Sequence, residues 1–589
     1  MNILGVSCHY HDAAAALVKD GVLVAAGEEE RFTRKKHDPS FPEHAIRFCL
    51  EAGGVPWEGL DYVVFYEKPL VKFERVLRTT IGTFPRSWEL FREAMIGWMN
   101  EKLWVKERLA SELGVSGDRV LFVDHHMSHA ASAFFCSPFR EAAILTVDGV
   151  GEWATATTGR ASACWDGAGR NHIQLDQHLP FPHSLGLLYS TFTAFLGFEV
   201  NEGEYKVMGM APYGQPKYLD KISKLASVSA DGSLRLNLEY FSFPWSVRQS
   251  YSRRFLDLFG EARLSGSEFR LHRENNGDSA SVAKDQFYAD VAASIQAFTE
   301  DVLLKMAREL HRQTGLPALC MAGGVALNSV ANGRILRESG FEQLFIQPAA
   351  GDSGGAVGAA LYTYHVLFGE PRKFVLEDAY LGREFSAAEI STFLDQQGIR
   401  YESFDDDDKL LDRVTGRLTE GKVAGWFQGR FEWGPRALGN RSILADPRRA
   451  EMKDIVNEKI KFREPFRPFA PVLPEEEAPT FFEATPAQTS QYPARYMLLV
   501  LPWRGSAGSR VPAVNHLGTG RLQTMREKWN PRYHSLLRRF GQATGTPVLM
   551  NTSFNLRGEP IVASPADAWN TFSKSGIDIL VLDHFLIEK

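Results

Sequence analysis

The spacing of apolar and polar residues predicts two similar groups of strands early in the chain. Apolar residues 3–6 and 14–18 flank a polar loop, and an Asp-Gly turn leads into a third apolar run at residues 22–24. The same order of apolar strand, turn with Asp and Gly, and strand of small and β-branched residues returns from residue 142. Residues 28–34 are rich in charge, and we expect them to be exposed. Two such groups about 140 residues apart predict a duplicated αβ domain with a cleft between its halves.

The middle of the chain predicts a long helical segment and two glycine-rich turns. Apolar side chains recur at helical spacing over residues 284–313, which indicates one amphipathic helix or a pair of helices. A strand of the buried type at residues 316–321 ends in Gly323 and Gly324. Gly351 begins the second turn, which leads into a helix of small residues that can pack closely.

Length and composition predict more than one domain. The chain has 589 residues, 44% of them hydrophobic, which is enough for two or more cores. After His365 the sequence becomes polar and turn-rich. We therefore place a boundary at residues 365–380 and predict domains 1–368 and 369–589.

Charge and cysteine usage exclude several classes of function. The formal net charge of −6 provides no global positive field for nucleic acid or anionic membranes. The five cysteines are scattered without a C-x-x-C pair, so neither a disulfide framework nor a zinc ribbon is indicated. The N-terminal residues lack the pattern of a signal peptide, and no apolar run approaches the roughly 18 residues of a membrane span. We expect a cytoplasmic protein with no nucleic-acid or membrane partner.

One group of histidines and aspartates indicates a metal site. The segment DHHMSHAASAFF places His125 and His129 at i and i+4, where a helix projects both imidazoles from one face. Asp148 ends an apolar strand and Asp352 lies in a glycine-rich turn, so both are candidate ligands. Imidazole suits iron or zinc, and carboxylates would complete a mixed shell. By itself, a histidine pair of this spacing fits a helix cap equally well.

The glycine-rich turns indicate a nucleotide pocket. Each follows a strand and precedes a helix, where bare backbone can approach a nucleotide without steric conflict. Neither matches a P-loop or a dinucleotide fingerprint, and each alone also fits close packing. Together they favour an adenosine pocket, to which we assign Gly149, Gly323, Gly324, Asn328 and Gly351.

The last third of the chain interleaves basic residues with Gly, Pro and aromatics, which indicates ordered loops around a small polyanion. Arginine offers a planar fork for phosphate or carboxylate, and asparagine, serine and threonine side chains can add hydrogen bonds to its oxygens. A solvated basic face and an RNA surface with aromatic stacking are the alternatives. The candidate anion contacts are Arg430, Arg436, Arg441, Lys459, Arg463, Arg467, Asn551, Thr552, Ser553 and Asn555.

Eight ordered segments carry a resemblance to a known family. They are HDAAAAL with GEEERF, DHHMSHAASAFF, GEYKVMGMAPYG, AGGVALN, GDSGGAVGAAL, FQGRFEWGPRALGNRSILADPR, FREPFRPFAP and NTSFNLRGEPIV. On these segments essentially the whole chain resembles the NodU/CmcH family of O-carbamoyltransferases, which act on antibiotic and nodulation-factor hydroxyls.

The resemblance implies an α/β fold with an α+β second domain. The N-terminal domain would belong to the actin-like ATPase superfamily (ASKHA), similar to the Kae/TsaD-type tRNA threonylcarbamoyl transferases, and the C-terminal domain would be YrdC-like. The family also implies an Fe²⁺ ion, held here by His125, His129, Asp148 and Asp352. The C-terminal domain would form carbamoyl adenylate from carbamoyl phosphate and ATP. The N-terminal domain would then transfer the carbamoyl group to a hydroxyl of a small-molecule natural product.

The acceptor alcohol must lose a proton as it attacks, and His11 beside Asp12 is our candidate for the catalytic site, because an imidazole titrates near neutral pH. A histidine that only orders the first loop is the alternative. The family usually shows a histidine followed by x-Asp-Gly-Thr, whereas His516 is followed by Leu-Gly-Thr here. We therefore give His516 no role and keep Arg521 as an anion contact.

Two rival functions remain at this point. A fused tRNA threonylcarbamoylation enzyme would need an RNA-binding face, which the acidic balance argues against. A non-catalytic actin-like regulator would leave the basic loops without a purpose. The acceptor and the oligomeric state are not identified, and aromatic residues at 70–115 and 225–280 either shape an acceptor pocket or simply pack.

Overall fold

The computed structural model describes residues 1–165, 167, 169–271 and 279–589. Its first unit is a five-stranded sheet of order β3-β2-β1-β4-β5. On one side of β1, strands β2 and β3 are added antiparallel; on the other side, β4 and β5 are added parallel. The strands are β1 (Asn2–Ser7), β2 (Ala14–Lys19), β3 (Val22–Glu28), β4 (Tyr62–Phe65) and β5 (Val120–Phe122). The helices are α1 (Glu30–Thr33), α2 (Glu43–Gly53), α3 (Pro69–Gly82), α4 (Trp88–Asn100), α5 (Val105–Leu113) and α6 (His125–Phe134).

The second unit repeats this arrangement. Its main sheet has the order β12-β11-β6-β7-β8, again with two antiparallel strands on one side of the first strand and two parallel strands on the other. The strands are β6 (Glu141–Val147), β7 (Ala154–Ser162), β8 (His172–Pro180), β9 (Ala226–Val228), β10 (Leu234–Leu236), β11 (Ala318–Ala322) and β12 (Gln343–Ile346). The helices are α7 (Leu185–Phe195), α8 (Glu204–Met210), α9 (Leu219–Leu225), α10 (Arg253–Phe259), α11 (Ser279–Thr314), α12 (Ser329–Glu338) and α13 (Asp352–Tyr362). The predicted duplication is confirmed, and the segment predicted as one or two helices is the single helix α11.

The remainder of the chain forms a nine-stranded mixed sheet of order β13-β21-β20-β14-β15-β19-β16-β18-β17. Its strands are β13 (Glu402–Ser403), β14 (Ala424–Phe427), β15 (Arg441–Ala445), β16 (Ala470–Pro474), β17 (Leu499–Pro502), β18 (Thr519–Met525), β19 (Leu549–Ser553), β20 (Ile579–Leu582) and β21 (Phe585–Glu588). Its helices are α14 (Ala387–Gln396), α15 (Asp407–Thr419), α16 (Met452–Asp454), α17 (Ala478–Phe481), α18 (Pro486–Thr489), α19 (Tyr492–Arg495), α20 (Ala507–Arg510), α21 (Pro531–Thr544) and α22 (Pro565–Lys574). The fold is therefore mixed α/β, while the YrdC-like character of this sheet stays a prediction.

The second unit packs directly on the nine-stranded sheet. Their buried apolar side chains form one continuous cluster. Asn332 on α12 donates from its side-chain amide to the carbonyl oxygen of Leu498 at 3.1 Å. The predicted boundary at 365–380 thus joins two parts that share a core.

The prediction that residues 28–34 are exposed is wrong. Glu28, Glu29 and Arg31 are 5%, 1% and 1% exposed. The Arg31 guanidinium donates to the carbonyl oxygen of Gly434 at 2.5 Å, and the Gly434 N–H donates to the Glu28 carboxylate at 2.7 Å. These charges hold the first unit against a loop of the C-terminal part of the chain, about 400 residues away.

Within the part of the chain that the structure describes, no helix combines the length and the apolar character needed to cross a membrane.

Candidate active site

The candidate metal ligands follow the ends of parallel strands. His125 and His129 lie on α6, which begins soon after β5, while Asp148 directly follows β6 and Asp352 begins α13 after β12. The carboxyl ends of parallel strands lie along one edge of a sheet, where loops and helix starts bring polar side chains together. Gly358 of α13 allows close contact with α6, because an added Cβ would lie 1.8 Å from the Ser128 carbonyl oxygen.

The structure brings the four predicted ligands together. The Nε2 atoms of His125 and His129 are 3.0 Å apart, and His125 Nε2 lies 3.1 Å from Asp148 Oδ2. Asp352 Oδ1 lies 3.6 Å from His129 Nε2 and 3.7 Å from His125 Nε2. One donor atom from each residue falls within 4.8 Å of all the others, and all four side chains are buried or nearly so. Two imidazoles and two carboxylates that converge in this way fit a transition-metal ion.

Charges around this cluster act on its histidines. Burial lowers the pKa of His125, but the carboxylates of Asp352, Asp148 and Glu67 raise it more strongly, so the resulting pKa lies well above the usual value. Glu67 Oε2 is 3.8 Å from His125 Nδ1, and Glu152 accepts a hydrogen bond from the His125 backbone N–H at 2.9 Å. Sequence reasoning missed Glu67 and Glu152, although Glu67 also follows a parallel strand and Glu152 lies in the turn after Asp148.

His11 and Asp12 lie beside the cluster. The Nδ1 atom of His11 is 2.8 Å from the Asp12 carboxylate, so that its Nε2 faces Asp352 at 4.0 Å. Asp12 also contacts Nδ1 of His37 at 2.6 Å. Burial lowers the pKa of His11, while Asp12 and Asp352 raise it more strongly, to about 9. The two residues predicted as catalytic are therefore next to the candidate metal ligands, with Asp12 setting the orientation of the imidazole.

The predicted nucleotide glycines divide into two kinds. Gly323 has φ +92° and packs on β6, where an added Cβ would lie 2.3 Å from the Val147 carbonyl oxygen. Gly324 donates its N–H to Asp148 Oδ1 at 2.9 Å and so orients a candidate metal ligand. Gly149 and Gly351 face open space, since an added Cβ would meet no atom closer than 3.9 Å. Gly149 and Gly351 thus present bare backbone that a ligand can approach, and Gly324 is exposed as well although its N–H is used by Asp148.

Asn328 has a different role from the predicted one. Its side-chain oxygen accepts the N–H of Ala331 at 3.1 Å and caps α12. Its amide nitrogen donates to the side chain of Gln296 at 3.1 Å. Both ends of the amide are thus used inside the protein, which corrects its assignment as a nucleotide contact.

Four of the predicted arginines converge at one place, which we call the arginine cluster (Arg436, Arg463, Arg467 and Arg521). Burial lowers the pKa of Arg463 and of Arg521 well below the usual value, and neighbouring arginines of the cluster lower each further. In the described part of the chain, the guanidinium groups of Arg436 and Arg521 have no hydrogen-bond or ion-pair partner, and one nitrogen of each is sealed from solvent. Such a concentration of unneutralised charge is suited to a small polyanion.

Tyr205 from α8 connects the N-terminal half to the arginine cluster. Arg467 donates to the Tyr205 hydroxyl at 2.9 Å, and Lys206 pairs with Glu464 at 3.4 Å. His516 is buried, which lowers its pKa to about 4, and its Nε2 donates to the carbonyl oxygen of Gly209 at 2.9 Å. The arginine cluster therefore lies where the two halves of the chain meet, and the His516 hydrogen bond to Gly209 also joins them.

A lysine that sequence reasoning missed borders the arginine cluster. Lys461 is 3% exposed and donates to the carbonyl oxygens of Ser553 and Asn555 at 2.7 and 2.8 Å. The predicted Lys459 lies on the exposed surface instead, because residues 455–460 form a π-helical turn that directs it away. Ser553 and Asn555 thus serve as hydrogen-bond acceptors for Lys461 at the edge of the arginine cluster, and the exposed Lys459 is not supported as an anion contact.

Three other predicted anion contacts are used by the protein itself. Arg430 donates to the carbonyl oxygens of Val24, Leu381 and Gly382, each at 2.9 Å. Arg441 is fully buried and donates to four carbonyl oxygens of neighbouring loops. Asn551 donates to Gln523 at 2.6 Å inside the sheet. These residues hold loops and strands together, because a guanidinium or an amide satisfies carbonyl oxygens as well as phosphate oxygens.

A short path of contacts joins the two sites. Asp12 contacts both His11 and His37, and Lys36 next to it pairs with Glu202. Lys36 is also an electrostatic neighbour of Lys461 at the arginine cluster. These contacts lead from the candidate metal ligands through His37 and Lys36 towards the arginine cluster.

Comparison with known proteins identifies the family. The family model described as carbamoyltransferase N-terminus matches residues 2–361, and the one described as carbamoyltransferase C-terminus matches residues 415–589. The chain is similar to an uncharacterized protein of Synechocystis (46% identity, covering 100% of this chain and 97% of that protein) and to nodulation protein NolNO of Sinorhizobium fredii (37%, covering 98% and 79%). It is also similar to the 3'-hydroxymethylcephem-O-carbamoyltransferase of Amycolatopsis lactamdurans (36%, covering 45% and 47%). Among solved structures, HypF of T. kodakarensis matches with a TM-score of 0.30 and 16% identity, over 63% of this chain and 48% of that one. The chain belongs to the NodU/CmcH-type family of carbamoyltransferases.

Proposed function

We propose that this carbamoyltransferase uses carbamoyl phosphate and ATP to place a carbamoyl group on a hydroxyl of a small molecule. The observation that carries the proposal is that one chain contains both the arginine cluster and a group of candidate metal ligands next to His11. The arginine cluster offers unpaired cations for a phosphate-bearing donor, while His11 lies beside a set of metal ligands. The name of the cephem relative, which describes transfer to oxygen, supports a hydroxyl acceptor.

The atom balance defines two stages. Carbamoyl phosphate first loses phosphate to water, and an oxygen of the resulting carbamate attacks the α-phosphorus of ATP, which releases pyrophosphate and leaves carbamoyl adenylate. The acceptor oxygen then attacks the carbamoyl carbon, AMP leaves, and the acceptor proton passes to a base. The arginine cluster is suited to the anions of the first stage. His11 is suited to accept the proton in the second stage in its neutral form, with Asp12 holding its Nδ1. Its pKa of about 9 comes from carboxylates that include Asp352, and a metal cation held by Asp352 would lower it and favour the neutral form.

The four converging residues also fit a resident iron ion. His125, His129, Asp148 and Asp352 would hold it, and Glu152 and Gly324 fix the backbone and side-chain positions of two of these ligands. Bound there, the ion would supply a Lewis acid and a template without redox chemistry.

A partial-reaction assay tests the proposal. The full-length protein, supplied with ferrous iron, ATP and carbamoyl phosphate, should release pyrophosphate, and a hydroxylated acceptor should gain one carbamoyl group by mass spectrometry. His11→Ala should reduce transfer from chemically supplied carbamoyl adenylate far more than it reduces pyrophosphate release. Absence of carbamoyl-phosphate-dependent pyrophosphate release would contradict the proposal and favour a non-catalytic regulator. Carbamoylation that needs tRNA would favour the threonylcarbamoylation rival.

A further inference from the structure

Two stretches without an assigned role meet beside the candidate metal ligands. One is the pair α3 and α4 of the first unit, and the other is the segment 237–252 of the second. Glu89 of α4 forms an ion pair with Arg248. The ring of Phe243 lies 6.4 Å from that of Phe181, and the Arg75 guanidinium of α3 lies 5.0 Å from the same ring. The two stretches therefore lie opposite each other between the two units, and we use the name acceptor pocket for the space bordered by Arg75, Phe181 and Phe243.

Arg75 is a cation without a partner in this pocket. The side chain is 7% exposed, and in the described part of the chain its guanidinium has neither a hydrogen bond nor an ion pair. Its acidic neighbours are Glu67 and Glu152. Glu67 accepts a hydrogen bond from Lys72 at 2.6 Å, and Glu152 accepts the His125 and Lys68 backbone N–H groups. None of its nitrogens is completely buried, so a ligand that supplies oxygens can accept hydrogen bonds from the guanidinium without displacing a partner in the described residues.

The pocket reaches the reacting groups through Tyr10. The Tyr10 ring lies 4.5 Å from the His11 ring, and the Lys72 ammonium lies 5.1 Å from the Tyr10 ring. Tyr10 is 43% exposed, and desolvation by its surroundings together with the carboxylates of Asp352 and Asp148 raises its pKa, while Arg75 lowers it. Tyr10 is thus electrostatically close both to the candidate metal ligands and to Arg75. A molecule held between Tyr10 and Phe181 would lie within reach of His11.

We infer that this pocket binds the acceptor, and that Arg75 selects hydroxylated acceptors that carry a carboxylate or phosphate group. The inference rests on the proposed function. The planar fork of Arg75 matches two oxygens of either anion, and Phe181 holds the fork in place by stacking. The rings of Tyr10 and Phe181 provide flat walls for the carbon skeleton of the acceptor.

The experiment compares acceptors that differ only in their charge. The full-length enzyme with ferrous iron, ATP and carbamoyl phosphate is given hydroxymethylbenzoate or its amide, gluconate or its amide, and a hexose phosphate or its parent hexose. Mass spectrometry measures the rate at which the carbamoylated product forms, and kcat/KM for each acceptor is obtained from these rates. The wild type should prefer the anionic member of at least one pair by about 10- to 100-fold, the range expected of hydrogen bonds to a charged group. The acid and phosphate pairs show which anion the pocket accepts.

Variants on α3 locate the cause of the preference. Arg75→Gln should reduce the ratio of kcat/KM between the anionic and the neutral acceptor to about one. Arg75→Lys should leave an intermediate ratio, because the charge stays while the planar guanidinium is lost. Arg78→Gln is the matched control, since Arg78 lies one turn away, is exposed and pairs with Glu74. It should keep the full preference. Thermal unfolding of each variant shows that it is folded.

Each result has a defined meaning. Equal use of charged and neutral acceptors, a preference that survives Arg75→Gln, or no acid carbamoylated while pyrophosphate release proceeds would each overturn the inference and leave the proposed function in place. Wild-type enzyme that shows no carbamoyl-phosphate-dependent pyrophosphate release would remove the proposed function and this inference with it.

Discussion

Arg521→Gln separates the role of the arginine cluster from that of the arginines that only hold loops. Arg521 has no hydrogen-bond or ion-pair partner in the described residues, and burial together with Arg436 and Arg467 lowers its pKa well below the usual value. Removing its charge therefore breaks no internal contact and relieves repulsion among like charges. We expect the ligand-free variant to unfold at a temperature equal to or above that of the wild type, while its binding of phosphate-bearing anions falls.

The expected size of the effect follows from the contacts that are lost. One or two charge-assisted hydrogen bonds contribute about 1.5–3 kcal/mol, which weakens anion binding by roughly 10- to 150-fold. At a ligand concentration of about 100 times Kd, binding stabilises the wild type by about 2.7 kcal/mol, and a 100-fold weaker Kd leaves only about 0.4 kcal/mol. Thermal unfolding with and without inorganic phosphate or carbamoyl phosphate measures the difference. Pyrophosphate release measures the catalytic consequence, which should be a loss of at least tenfold.

Arg430→Gln is the contrasting variant. Its three hydrogen bonds to carbonyl oxygens, each at 2.9 Å, should make the substitution cost roughly 2 kcal/mol of unfolding free energy, with the anion-induced stabilisation retained. If Arg521→Gln keeps the full anion-induced shift, or if Arg430→Gln loses it without any loss of stability, the assignment of the two arginines is reversed and the arginine cluster is not the anion site.

Three further predictions concern the metal ligands, an interdomain carboxyl group and a helix contact. His129→Ala should lower the iron bound after anaerobic reconstitution, as measured by elemental mass spectrometry, and ferrous iron should restore transfer to chelated wild type better than magnesium; undiminished iron in the variant would contradict this. Burial raises the pKa of Glu28 from 4.5 to about 7 and outweighs the opposite effect of Arg31. The protonated carboxyl group therefore contributes about 3 kcal/mol to the free energy of unfolding below pH 4.5, and this contribution is lost as the pH rises through 7. Glu28→Gln should therefore stabilise the protein against heat near pH 8 but not near pH 5, and an identical pH profile for both proteins would rule this out. Gly358→Ala should cost about 3 kcal/mol by forcing α13 away from α6, whereas Gly416→Ala, which meets no atom within 4 Å, should be neutral or slightly stabilising in the same unfolding assay.

The metal-ligand cluster was readable from sequence because local rules determine most of it. The i, i+4 spacing of His125 and His129 sets their common face, and the ends of parallel strands explain where Asp148 and Asp352 meet them. The duplicated strand order was also readable, since each hairpin pattern is local. The small residues after Gly351 predicted a helix that can pack closely, but the sequence could not show that its partner is α6, because spacing within α13 says nothing about which distant helix Gly358 contacts.

The arginines show where local reasoning fails. Arg436 and Arg441 lie five residues apart in one motif, yet among the described residues the first guanidinium has no hydrogen-bond or ion-pair partner and the second donates to four carbonyl oxygens. Three of these oxygens lie within 13 residues of Arg441 and the fourth, of Arg383, lies 58 residues away, so the difference depends on the path of the loops and no spacing rule predicts it. The same holds for Glu28 and Arg31, whose partner Gly434 lies about 400 residues away. Charge in a sequence indicates surface only when no distant partner can bury it.

The packing places the groups of the two proposed stages in different parts of the chain. Gly5 of β1 lets the strand lie against α13, where an added Cβ would be 1.9 Å from the Ala356 carbonyl oxygen, so the strand that leads to His11 and the helix that begins at Asp352 form one rigid contact. The same helix packs on α6, which fixes His125 and His129. The arginine cluster instead needs Tyr205 from the second unit and loops from the C-terminal part. The groups proposed for transfer are therefore positioned by the core of the N-terminal half, and the groups proposed to bind the anions of the first stage are positioned by the interface. A substitution at that interface can alter donor binding without moving the metal ligands, which is why the two stages should be separable by mutation.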